Sequence, residues 1–177
     1  MSGRAAYYLC RIDRWDRIWC LRFNQAGRRA WIRALFGAAS RLGDGVFWYG
    51  LMLALLAIEG WRAVVPVAHM LAVGGVSLAV YKWLKEKTLR PRPFELNREI
   101  TLGAAPLDQF SFPSGHTLHA FAFSIVLLAY YPMLAWLVAP FTLLVAASRL
   151  VLGLHYPSDV LAGAVIGASI ASASFRF

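Results

Sequence analysis

Residues 117–148 read TLHAFAFSIVLLAYYPMLAWLVAPFTLLVAAS. The run contains no Asp, Glu, Lys or Arg, and it is too long for one upright helix in a bilayer, which needs about 20 residues. Tyr130-Tyr131-Pro132 in its middle supplies an aromatic belt and a break, because proline has no amide proton to give a helix interior. The run therefore divides into two short spans, and the bilayer is the solvent it implies.

Working outward, the same pattern recurs on both sides. Upstream, Val46–Ile58 is uncharged and ends at the polar, interfacial Glu59-Gly60-Trp61-Arg62. A second apolar stretch, Ala63 to Tyr81, is interrupted only by His69 and closes at Lys82. Downstream, Arg149 to Pro157 reads as a turn, and Ser158–Ser174 forms a last span with Gly163 and Gly167 at the spacing that lets helices approach closely. The expected fold is all-α: a polytopic membrane helix bundle of about five spans preceded by a basic amphipathic interfacial helix. Gly43-Asp44-Gly45 reads as the turn into the bundle, with Asp44 able to cap the next helix.

Composition agrees. Of 177 residues, 59% are hydrophobic and 15% charged, against roughly 45–50% and 25% in ordinary soluble domains. Mean hydropathy is +0.56. Such a chain is neither disordered nor suited to water, and its length suits a single domain over 1–177, divided into a basic arm at 1–43 and the bundle at 44–177. Net charge is +9, and the arm before Gly43 holds nine arginines against Asp13 and Asp16. A basic chain can meet nucleic acid, an anionic membrane or an anionic substrate. Nucleic acid is disfavoured because the rest of the chain is mostly apolar. Cys10 and Cys20 suggest neither a disulfide framework nor a metal site. The first long apolar run begins near Val46, too late for a cleavable signal.

Within the arm, residues 11–36 mix Arg with apolar residues at spacings near three and four. Ile12, Trp15, Trp19 and Phe23 share one helix face, while Arg14, Arg17 and Arg22 lie elsewhere. This is the pattern of a helix lying in the membrane surface, with arginines reaching phosphates. An ordinary arm with no lipid role is the alternative.

The spans bring the end of the helix closing at Lys82, the start at His116, the end at Arg149 and the start near His155 to one face. Three motifs gather there: 85–93 (KEKTLRPRP), 113–116 (PSGH) and 148–159 (SRLVLGLHYPSD). They hold permanent cations, two histidines, a carboxylate and a small turn opening a helix. Cations beside a helix N-terminus make an anion site, and a carboxylate four residues after a histidine can orient its ring. These are parts for phosphoryl transfer: nucleophile, orienter, acid and charge clamp. Two histidines and an aspartate could in principle hold zinc, but Lys85, Arg92 and Arg149 would repel a cation.

In order and spacing the motifs resemble the type 2 phosphatidic acid phosphatase (PAP2) superfamily, whose site is shared with vanadium-dependent haloperoxidases and bacterial acid phosphatases. The pattern is Lys, six residues, Arg-Pro; Pro-Ser-Gly-His; and Ser-Arg, five residues, His, three residues, Asp. It is met over 85–159 at every fixed position. Two Arg-Pro pairs overlap, but position 83 is Trp83, so the register runs from Lys85 to Arg92-Pro93, and Lys82, Lys87 and Arg90 read as interfacial charges. The resemblance implies that His155 is the nucleophile, Asp159 orients it, and His116 protonates the leaving oxygen and then activates water. It implies that Lys85, Arg92 and Arg149 bind the phosphoryl oxygens with Ser114 and the Gly115 amide, and that no metal or other cofactor takes part. The implied substrate is a lipid phosphomonoester or diphosphate of the phosphatidylglycerophosphate, phosphatidate or undecaprenyl diphosphate type. A phosphotransferase on the same site, a haloperoxidase and a non-catalytic membrane scaffold are the alternatives.

Other polar residues carry less. His119 reads as a neighbour of the pocket, and His69 as a helix–helix hydrogen bond or a functional residue. Asp108 and Glu95 read as loop charges without a role, and Ser148 as a support for the phosphate site. The sequence implies a multi-pass protein of the cell (cytoplasmic, or inner) membrane. Nine N-terminal arginines favour a cytoplasmic N-terminus and active-site face, whereas relatives of this kind often act on the periplasmic or external face. Oligomeric state has no signature here.

Overall fold

The computed structural model describes residues 3–106 and 108–176, with side chains from Arg11 onward. It is all-helical among the described residues. The helices are α1 (Gly3–Ala26), α2 (Ala30–Arg41), α3 (Phe47–Glu59), α4 (Val64–Thr88), the single turn α5 (Pro93–Leu96), α6 (Gly115–Tyr130), α7 (Ala135–Val151) and α8 (Pro157–Ser174). Two helical stretches contain a window long and apolar enough to cross a membrane: Ala30–Leu96, which runs through α2 to α5, and Pro132–Val151. Gly115–Tyr130 is a shorter apolar helix.

Helix α6 is the axis. It packs against α8, α4 and α7, and its buried Phe123, Val126 and Leu127 meet Trp48, Met70 and Val138 in the main core. Small residues set the tightest contact. A Cβ at Gly163 would fall 2.6 Å from the Ser114 carbonyl, and one at Gly167 2.2 Å from that of Leu118. The glycine pair read from the sequence thus lets α8 lie directly on the backbone of α6. His69 bridges three helices, with Nδ1 3.0 Å from the Tyr130 hydroxyl and Nε2 2.7 Å from Ser174 Oγ. Of its two sequence readings, the helix–helix link is the one observed.

The basic arm departs from the single helix expected over 11–36. It breaks between Ala26 and Ala30, where Gly27 approaches the end of α7 so closely that a Cβ would lie 2.9 Å from the Val151 carbonyl. Ile12, Trp15 and Phe23 of α1 are exposed, whereas Asp16, Cys20 and Asn24 are buried. The helix therefore docks through a stripe of small polar residues and turns its aromatic stripe outward. Cys20 is a buried free thiol; burial, with Asp16 and Asp159 nearby, raises its pKa to about 12. Cys10 and Arg4 lie outside the residues whose side chains are described. Asp44 does not cap α3. It lies in a π-type turn, Leu42–Val46, in which Gly45 has φ +124°, and no side chain caps the helix that follows.

Candidate active site

Local sequence explains how each element reaches the site. Helix α4 ends at Thr88 because Leu89 adopts a left-handed conformation (φ 47°) and Pro91 cannot continue the helix. Arg90 and Arg92 are thereby freed from the helix. Pro113-Ser114 leads into α6, with Ser114 as its N-cap residue. Gly153, at φ +71°, turns the chain after α7, and Pro157 at the first position of α8 directs Asp159 back toward Tyr156.

His155 is 2% exposed. Its Nδ1 lies 2.6 Å from the Ser111 carbonyl and 3.8 Å from Asp159 Oδ2. A carbonyl can only accept, so Nδ1 donates and Nε2 keeps its lone pair. Nε2 lies 3.5 Å from Arg92 Nη1. Burial pushes the His155 pKa down to about 4, with the charges of Arg149 and Arg92 adding to it and Asp159 opposing. The ring is therefore neutral, as a nucleophile requires.

Arg92 is fixed by Leu154 O at 2.7 Å and by Asp108, which takes Nε on its carbonyl at 3.1 Å and Nη2 on Oδ1 at 2.7 Å. Lys85 Nζ reaches the same carboxylate oxygen at 2.6 Å. Asp108, expected to be idle, thus joins two of the three cations. Burial alone would raise its pKa, but the hydrogen bond and charge of Lys85, helped by Arg92, hold it below the ordinary carboxylate value. Arg149 Nη1 donates to Ser40 Oγ at 2.5 Å, while its buried Nε has no partner among the described residues. His116 Nε2 stands 3.6 Å from Asp44 Oδ1.

A cavity of about 390 Å³ joins these groups. Arg92, Asp108, Gly115, His116, Arg149 and His155 line one part, and Trp48, Leu71, Gly74, Gly75, Leu78 and Phe123 line another. His119 lines it as well and bonds the Gly115 carbonyl at 2.9 Å. Lys85 and Ser114 are buried beside the cavity without lining it. Ser114 Oγ is 2.9 Å from Thr117 Oγ1, and its amide donates to the Asp159 carbonyl at 3.1 Å.

The sequence reading misplaced Arg90, which is no interfacial charge. Nη1 donates to Asp159 Oδ1 at 2.6 Å and Nη2 to the wholly buried Asp16 at 2.7 Å. Ser111 was also missed, since it meets His155 through its carbonyl, which leaves no mark in sequence. For Asp16 a signal existed: Asp16, Cys20 and Asn24 recur at every fourth position.

The site is thus a buried imidazole with a free lone pair beside the guanidinium of Arg92, in an apolar helical bundle. Residues 63–177 match the PAP2 superfamily, and the chain belongs to it. It is 37% identical over 128 residues to undecaprenyl-diphosphatase BcrC of Bacillus subtilis, a match covering 71% of this chain and 66% of that one. An undecaprenyl-diphosphatase of Sulfolobus acidocaldarius is 29% identical over 88% of this chain and 74% of its own. Among solved structures, a PAP2-type phosphatidylglycerolphosphate phosphatase from B. subtilis shares the fold at TM-score 0.75 and 24% identity, over 98% of this chain and 89% of that chain. LpxE of Aquifex aeolicus superimposes with TM-score 0.73 at 26% identity, over 88% and 91%.

Proposed function

We propose that this protein hydrolyses a lipid phosphomonoester or diphosphate, with His155 as nucleophile. The observation that carries the reading is the pairing of His155 Nε2 with Arg92 Nη1, 3.5 Å apart, on the cavity that His116 also lines. A phosphoryl group there would have its oxygens on Arg92, Arg149 and the Gly115 amide, with Lys85 and Ser114 behind them. Nε2 attacks phosphorus and the bond from phosphorus to the leaving oxygen breaks. His116 donates the proton that oxygen needs, leaving a phosphohistidine. His116 then takes a proton from water as water attacks phosphorus, and His155 is released. Positive charge grows on the His155 ring in the first step; the Ser111 carbonyl accepts its Nδ1 proton, and Asp159 lies within 4 Å.

Two of the relatives are named for undecaprenyl diphosphate, and the apolar part of the cavity suits a hydrocarbon tail, so an isoprenyl diphosphate is the first substrate to test. The bundle would cross the membrane about five times over 44–177. Asp16 bonds Ser158 at the start of α8, so the basic arm over 1–43 and the site share one face, cytoplasmic by the positive-inside rule.

The test is phosphate release from a panel of isoprenyl diphosphates, phosphatidate and phosphatidylglycerophosphate in detergent. His155→Ala and His116→Ala should each abolish release while leaving the thermal midpoint near wild type. EDTA should have no effect, because the cations around the site would repel a metal ion. Full activity in either variant would refute the assignment.

A further inference from the structure

Asp16 belongs to α1, outside the residues that match the family, yet its side chain is fully buried at the site. Oδ1 accepts the Ser158 amide at 2.9 Å, and Oδ2 accepts Arg90 Nη2 at 2.7 Å and the Ser158 hydroxyl. Arg90 carries the connection onward. Its Nη1 donates to Asp159 Oδ1 at 2.6 Å, its guanidinium lies 4.2 Å over the Tyr156 ring, and its carbonyl accepts the Ser111 amide at 2.8 Å. Ser111 closes the ring: its hydroxyl donates to Asp159 Oδ2, and its carbonyl takes the Nδ1 proton of His155. Ser111 and Asp159, which flank the His155 Nδ1 proton, are thus both bonded by Arg90, whose other side-chain partners are Asp16 of α1 and the Ser158 hydroxyl at 2.8 Å.

Charge supplies a second argument. Arg90 lies between two carboxylates, so Asp16, Arg90 and Asp159 together carry one negative charge beside His155. That charge stabilises the imidazolium formed as the ring takes up phosphorus. Without the Asp16 charge the trio is neutral, and the guanidinium bears on Asp159 alone.

We propose that Asp16 and Arg90 are positioning residues for the reaction: through them the N-terminal helix sets the orientation and the net charge behind His155. This rests on the reading of His155 as nucleophile. The rival explanation is structural, with Asp16 serving only as a cap for the start of α8.

Asp16→Asn separates the two, because asparagine keeps an oxygen for the Ser158 amide and nearly the same volume, while losing the charge and the acceptor that faces Arg90. Purified full-length protein is assayed on farnesyl diphosphate in detergent, with thermal midpoints measured in parallel. KM should stay near wild type, since Asp16 touches none of the phosphate-binding groups. The midpoint should fall, because opening a buried ion pair is strongly destabilising, so kcat is read well below the midpoint of each variant. kcat should fall by about tenfold or more, the order of one charge-assisted hydrogen bond. Arg90→Gln should lose at least as much, and adding Asp16→Asn to it should cause no further fall in kcat, because Asp16 acts through Arg90.

Wild-type kcat in folded Asp16→Asn, or a loss that multiplies in the double variant, would overturn the proposal. Wild-type protein and His155→Ala serve as controls. If the wild type releases no phosphate, or His155→Ala remains active, the underlying reading fails. If both controls behave and Asp16→Asn is unimpaired, only the relay fails.

Discussion

Replacing Gly163 with alanine tests whether the helix contact that builds the bundle also sets the reaction geometry. The new methyl would lie 2.6 Å from the Ser114 carbonyl and 3.4 Å from both the Leu118 amide and Thr117 Cβ. Carbon and oxygen need about 3.3 Å, so α8 and the start of α6 must separate by roughly 0.7 Å. A backbone carbonyl cannot rotate out of the way as a side chain could. Overpacking of this kind costs about 1–3 kcal/mol, and alanine returns about 1 kcal/mol of helix propensity, so the net loss of stability is about 0–2 kcal/mol. The effect on rate should be larger. Ser114 is joined to Asp159 by an amide-to-carbonyl bond of 3.1 Å, and His116 follows Ser114 by two residues, so the shift moves His116 relative to His155. Misplacement of order 1 Å can cost about 10²-fold in rate. The assay is kcat for phosphate release beside the thermal midpoint in detergent, with Gly75→Ala as the matched control, since a Cβ there meets nothing within 4 Å. Gly163→Ala should lose at least about tenfold in kcat with only a small drop in midpoint, and Gly75→Ala should keep both. Wild-type kcat in Gly163→Ala would refute the claim that this contact sets the spacing of the two histidines.

Two further outcomes are expected. The buried His155, with a pKa of about 4, should remain neutral in the substrate-free protein down to about pH 5; imidazole NMR signals identified by their loss in His155→Ala check this, and a midpoint near 6.5 or above would contradict it. The sign for stability follows: as pH falls from about 6.5 to 4 the unfolded chain binds a proton that the folded one excludes, so this residue makes the fold less stable across that window. An impermeant thiol reagent applied to intact cells should leave an Arg14→Cys variant unlabelled, the buried Cys20 being unreactive; labelling without lysis would place the arm and the site on the external face.

Legibility in the sequence followed chemical type. The cavity-lining side chains of Arg92, His116, Arg149 and His155 sit at fixed spacings because helix ends fix where they point, and all four fall at motif positions. The glycines of α8 were legible for a related reason, since only a missing side chain permits that contact. Ser111 was not, because its bond to His155 is made by a carbonyl common to every residue and its hydroxyl meets Asp159 48 positions away. Arg90 and Asp108 lie in non-helical chain between α4 and α6, where no periodicity tells an inward charge from an outward one. Position 90 could be excluded as the motif arginine, but its partner at 16 is far away in sequence.

The arm shows the limit most clearly. An amphipathic helix near a membrane has two faces that sequence can label, but hydrophobicity names only the one that leaves water. In α1 that face carries Ile12, Trp15 and Phe23, and all three are exposed in the folded chain. The face that docks is polar: Asp16 meets Arg90 and Ser158, and Asn24 holds the Thr101 and Val151 carbonyls at 2.9 and 3.1 Å. In a bundle whose outside is apolar, a polar stripe finds its partners inward, where motif charges already need counterions. The usual inside-out rule is thereby reversed for α1. A buried aspartate on such a helix is consequently better evidence of contact with the site than any of its arginines, and Asp16 is the residue through which the arm and the chemistry are joined.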